Sequence, residues 1–102
     1  MRVGITGANG FIGNHLTRHV TSLGHEVIAF LLRGTSDTLL ENLPQQVYWG
    51  DVLDTESLHP FLKSCDVLFH LAGFNRYWSR DPEIFHKLNV VGPTNIATAC
   101  LS

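Results

Sequence analysis

Charge is scarce in this chain. Only 16% of its 102 residues are Asp, Glu, Lys or Arg, and 7 basic against 9 acidic residues leave a formal charge of −2. Such a balance gives no electrostatic footing to nucleic acid or to an anionic membrane as a partner. No apolar run approaches the ~20 residues of a membrane span. Met1 leads straight into a strand-like segment, without a secretory signal pattern, so a cytoplasmic location is expected. Cysteine is nearly missing as well. Cys65 and Cys100 form no Cys-x-x-Cys pair, which argues against a metal knuckle or a dithiol redox motif, and both read as reduced thiols. His15 and His19 lie four apart on one helical stretch. With no further ligands nearby, they read as solvated helix residues rather than a metal pair. Internal repeats, low-complexity tracts and linkers are also absent, and the length suits one small domain.

What is present is a steady alternation of short apolar runs and helical patterns, with 44% hydrophobic residues. Residues 2–6 read as a strand. Residues 11–23 read as a helix, with Ile12, Leu16, Val20 and Leu23 at helical spacing and Gly24 as its stop. The run 26–32 is apolar on both faces after Glu26, as a covered parallel strand requires. A short helix is expected over 36–43, ended by Pro44. A third strand is expected over 46–49, then a helix over 55–64 capped by Asp54 and interrupted by Pro60. A fourth strand is expected over 66–71, and a helical stretch from Pro82 onward. This β-α-β-α-β-α-β-α order predicts an α/β fold, a doubly wound parallel sheet in the order 3-2-1-4. The helical pattern breaks off at Ala99-Cys100-Leu101-Ser102 without a stop signal. The expectation is therefore a fold truncated after about four strands, with a fourth-strand edge open to self-association.

The most telling segment is Thr6-Gly7-Ala8-Asn9-Gly10-Phe11-Ile12-Gly13, between the first strand and the first helix. A helix N-terminus offers unpaired N–H groups and the positive end of a dipole to an anion. Glycines let the backbone approach a dinucleotide pyrophosphate. The amides of Phe11 and Ile12 are expected to face that pyrophosphate, Gly13 to let the helix pack closely, and Asn9 to tolerate a left-handed backbone. The end of the second strand is where an acidic residue would bind ribose hydroxyls, but Arg33 stands there. Arginine can pair with a phosphate, which favours NADP, with NAD as second choice.

The spacing Gly7-x-x-Gly10-x-x-Gly13 differs from G-x-G-x-x-G. It resembles the extended short-chain dehydrogenase/reductase family, which includes the epimerases and dehydratases and shares a Rossmann-like fold. Three further segments fit that resemblance. Gly50-Asp51-Val52 matches the family's adenine site, with Asp51 toward the amino group and Val52 beside the ring. His70-Leu71-Ala72-Gly73 matches an H-x-A-[AG] segment, where Leu71, Ala72 and Gly73 would pass beneath the nicotinamide ribose. Asn89-Val90-Val91-Gly92 matches N-V-x-G-T, except that Pro93 replaces Thr and is expected to kink the helix. Trp78-Ser79-Arg80-Asp81-Pro82 resembles the dihydroflavonol-reductase-like branch, especially its hopanoid-associated sugar-epimerase group. The family's Tyr-x-x-x-Lys pair has no counterpart, because Val52 and Asp81 stand four residues beyond Tyr48 and Tyr77. Residues 1–102 therefore read as the N-terminal part of a single NAD(P)-binding domain, with no catalytic residue of their own. A small-molecule substrate would belong to the parent enzyme. The alternative is a non-catalytic nucleotide-binding or protein-interaction module.

Overall fold

The computed structural model describes residues 1–72, 83 and 91–100, the last three as backbone only. Its elements are β1 (Arg2–Thr6), α1 (Phe11–Ser22), β2 (Glu26–Leu32), β3 (Gln46–Gly50), α2 (Thr55–Ser64), β4 (Val67–His70) and α3 (Gly92–Cys100). The four strands are parallel and lie in the order β3-β2-β1-β4, as the alternating pattern predicts. Ile5 at the centre of β1 sits between Ala29 of β2 and Phe69 of β4.

Each face of the sheet carries its own core. Val3, Ile5, Val27, Ala29 and Leu31 pack with Val20 of α1 and with Leu40. On the other face Ile28 and Phe30 pack with Leu58 and Phe61 of α2 and Ile96 of α3. The Phe30 and Phe61 rings are 5.1 Å apart and tilted. Val27 through Leu31 are buried without a break, because a parallel strand covered on both sides has no polar face.

Local chemistry sets the boundaries. α1 stops where Gly24 takes a φ of +88°, and the amides of Gly24 and His25 close back on the carbonyls of Thr21 and Val20. α2 starts at Asp54, whose carboxylate accepts the Glu56 amide at 3.2 Å. Pro60 removes one backbone donor within α2, yet the helix runs on to Ser64, anchored by the fully buried Leu58 and Phe61.

The structure departs from expectation after β2. In place of a helix over 36–43 there is a single 3-10 turn, Thr38–Leu40. The Ser36 hydroxyl accepts the Thr38 amide at 3.2 Å, and Glu41 and Asn42 adopt positive φ values of 50° and 60°. Both features draw the backbone away from helical geometry. Pro93 is the second residue of α3 as described, and Val91 just before this helix is π-helical, a local irregularity of the kind a proline imposes. The helix continues through Cys100. Asn89 lies outside the described residues.

Candidate functional site

The C-terminal ends of the four strands enclose a cleft of about 240 Å³. Open α/β sheets bind ligands at this edge. Gly7, Asn9 and Gly10 form one wall, while Asp51, Val52, Leu71 and Ala72 form much of the rest. All seven are residues the sequence singled out. Gly50, from the Gly50-Asp51-Val52 segment, also lines the cleft, as do Phe30, Leu32 and Thr35, which were not anticipated. The only sequence signal of these three is position, near the end of β2 or in the turn after it. Gly73, Asn89 and the loop from Arg76 to Pro82 lie outside the described residues.

The turn after β1 depends on two glycines. Gly7 has a φ of +66°, and a Cβ there would stand 2.9 Å from the Ala72 backbone nitrogen. A Cβ on Gly13 would strike the Gly7 carbonyl oxygen and lie 2.8 Å from the Ala8 Cα. The left-handed residue of this turn is thus Gly7 and not Asn9, because glycine alone bears the conformation without steric cost.

Beyond the turn, α1 begins bare. Its N-cap is Gly10, without a side-chain cap, and its first turn holds no acidic residue. The first intrahelical bond joins the Asn14 amide to the Gly10 carbonyl at 2.8 Å, so the amides of Phe11, Ile12 and Gly13 precede the helix ladder. The side chains of Phe11 and Ile12 are 83% and 67% exposed, and neither lines the cleft. What these residues offer an anion is backbone N–H and the helix dipole.

Thr6 ties β1 to the end of β4, a role the sequence did not reveal. Its fully buried hydroxyl oxygen accepts the amides of Leu71 at 3.0 Å and Ala72 at 3.2 Å. These two bonds occupy its lone pairs, so its own proton is donated to His70 Nδ1, 2.6 Å away. His70 therefore carries its proton on Nε2, which has no hydrogen-bond partner among the described residues. Burial holds the His70 pKa below the usual imidazole value. The neutral ring and the threonine together set the backbone of Leu71 and Ala72 against Gly7.

Asp51 sits at the rim of the cleft in a tight turn. Its Oδ1 accepts the Leu53 amide at 2.9 Å, and its own amide donates to Ser57 Oγ at 3.2 Å. A Cβ on Gly50 would come within 2.7 Å of the Ser57 side chain, so helix α2 presses directly on this strand end. Asn95 of α3 donates to the Val52 carbonyl at 3.1 Å and steadies the same segment.

Arg33 does not line the cleft. Its guanidinium is 3.3 Å from Asp54 Oδ2, with both side chains well exposed. The sequence marks Asp54 as a helix cap but gives no sign of this pairing. From the turn after β1, the Asn9 side-chain amide donates to Thr35 Oγ1 at 2.9 Å and to the Ser36 carbonyl at 2.8 Å. Among the described residues, no helix is long and apolar enough to cross a membrane.

The profile of the NAD dependent epimerase/dehydratase family matches residues 3–102. The chain belongs to this family. A Synechocystis sp. protein named for dihydroflavonol 4-reductase is 36% identical over 92 residues, which are 90% of this chain and 26% of that protein. The crystal structure of gox2253 superposes with a TM-score of 0.87 at 33% identity, over 97% of this chain and 30% of that one. A Thermus thermophilus UDP-glucose 4-epimerase in complex with NAD also gives 0.87, at 25% identity, over 98% of this chain and 33% of its own. The chain thus spans about a quarter to a third of the length of these relatives. The reductase-named relative agrees with the branch that the Trp78–Pro82 stretch resembles.

Proposed function

We propose that the cleft binds a nicotinamide dinucleotide, NADP ahead of NAD. On this reading, residues 1–102 are the nucleotide-binding part of a single domain in a reductase or epimerase for a small carbonyl or sugar substrate. The observation that carries the reading is the uncapped start of α1 beside a turn that two absent Cβ atoms leave open. That cradle fits a pyrophosphate, and nothing acidic in the first turn of α1 competes with it.

When bound, the nicotinamide supplies a hydride carrier. The chain's own residues bind and orient. The amides of Phe11 and Ile12 take the pyrophosphate, and the carboxylate of Asp51 accepts from the adenine amino group while Val52 packs against the ring. Leu71 and Ala72, positioned by Thr6, form a floor for the nicotinamide ribose. Arg33 exchanges its exposed partner Asp54 for the ribose 2′-phosphate. An exposed ion pair is worth only ~0–1 kcal/mol, so a doubly charged phosphate can displace it.

The test is a fluorescence titration of the chain with NADPH and NADH, repeated with Arg33→Asp. Tighter NADPH binding, reversed in the variant, is the expected result. Tighter NADH binding by the unaltered chain refutes the NADP assignment.

A further inference from the structure

We infer that Asn9 is a positioning residue that presets the turn after β2 for a phosphorylated ribose. The inference rests on the proposal that the cleft takes NADP and adds a second determinant of that choice.

The turn contains Arg33, Gly34, Thr35 and Ser36. Gly34 has a φ of +86°, and none of the described residues comes within 4 Å of where its Cβ would be, so none of them packs against this pivot. From its own side of the cleft, the turn is held by the Arg33 amide on the Gly50 carbonyl at 3.0 Å. Both the amide and the hydroxyl of Thr35 donate to the Leu32 carbonyl. Asn9 supplies the tie from the turn after β1. The two protons of its amide nitrogen go to two successive residues, Thr35 Oγ1 and the Ser36 carbonyl. Asn9 stands within the glycine turn that receives the pyrophosphate, so this contact fixes the distance between the two phosphate-facing segments.

A ligand with phosphate at both places gains from that preset spacing, because the ordering of the loop is not charged to binding. A ligand with only the 5′-phosphate makes little use of the second segment. Asn9 therefore acts on the choice between the two cofactors through the loop, without itself needing to touch the 2′-phosphate.

The experiment uses probes that lack the nicotinamide half. Affinities of 2′,5′-ADP and 5′-AMP are measured by calorimetry for the unaltered chain, Asn9→Ala, Thr35→Val and the double variant, and amide exchange is followed over residues 34–38. The unaltered chain should prefer 2′,5′-ADP. Asn9→Ala should cut that preference about three- to tenfold, the equivalent of one to two ordinary hydrogen bonds. Thr35→Val, which leaves the glycine turn intact, should shift it the same way, with the double variant losing less than the sum. Exchange over 34–38 should quicken in Asn9→Ala. An unchanged preference in that variant, equal weakening of both probes, or unchanged exchange overturns the inference alone. An unaltered chain that does not distinguish the probes overturns the NADP reading, and the inference falls with it.

Discussion

Replacing Thr6 by Val tests the joint between β1 and β4. The two side chains have nearly the same shape, so the change opens no cavity, but the hydroxyl is lost. Its loss strands the Ala72 amide and His70 Nδ1, each of which bonds to Thr6 Oγ1. The Leu71 amide keeps a partner in the Thr6 carbonyl at 3.2 Å. A buried polar group left unpaired costs about 1–3 kcal/mol. The strand end around His70 and Ala72 is only half-buried, so the lower part of that range applies and the expected loss is about 2–3 kcal/mol. Small domains have roughly 5–15 kcal/mol in total, so the change is large. Urea unfolding at pH 7.5 measures it directly. A double-mutant cycle with His70→Leu separates the histidine's share, and the coupling should be about 1 kcal/mol. A loss below about 0.5 kcal/mol, the level of an ordinary surface change, would refute the assignment of Thr6 as the joint, and strict additivity would refute its bond to His70.

The other predictions concern pH and the two ends of the cleft. Burial lowers the His70 pKa in the folded chain, so its contribution to stability is fully present above about pH 6.5 and is lost as pH falls through the folded-state value. His70→Leu should flatten the urea midpoint against pH below 6.5, and parallel curves for the two proteins would contradict this. In Thr6→Val the neutral ring loses its donor, so the His70 resonance in a proton NMR titration should move at a higher pH than in the unaltered chain. Gly13→Ala should cost about 1–3 kcal/mol by overpacking and should weaken NADPH and NADH alike; an unchanged urea midpoint would show that the turn yields freely. Asp54→Asn keeps a capping oxygen for α2 while freeing Arg33, so 2′,5′-ADP should bind several-fold tighter at nearly unchanged stability, with 5′-AMP binding unaffected.

The sequence exposes those parts of this molecule whose demands are local. The β2 run must be apolar on every side, and the turn after β1 must lack Cβ atoms at fixed spacing, so both are visible in the residues. The sheet order then follows from the handedness of the crossovers. Thr6 illustrates the opposite case. One threonine at a strand end has no periodic signature, and its partner is 64 residues away. Arg33 is a long exposed side chain whose partner, Asp54, lies 21 residues on and already has a local reading as a helix cap. The missing helix over 36–43 has a similar origin, since its pattern of Leu39 and Leu40 fits a helix while the Ser36 hydroxyl and the left-handed residues 41 and 42 decide otherwise.

This division separates what the cleft recognises from how finely it discriminates. On the proposed reading, the pyrophosphate would be met by backbone, through amides that precede the helix ladder and a turn that only glycine can make. Backbone recognition is insensitive to most substitutions and is shared across a family. The ribose, by contrast, would be met by side chains with competing partners: Arg33 is engaged by Asp54, and Thr35 and Ser36 are held by Asn9. Each such exposed contact is worth about 1 kcal/mol or less, so a few neighbours decide which cofactor is preferred. A single charge at the end of β2 therefore cannot settle the choice between NADP and NAD. The deciding quantity is the combined free energy of breaking the Arg33–Asp54 pair and keeping the Asn9 tie, and the Asp54→Asn and Asn9→Ala variants change those two contributions separately.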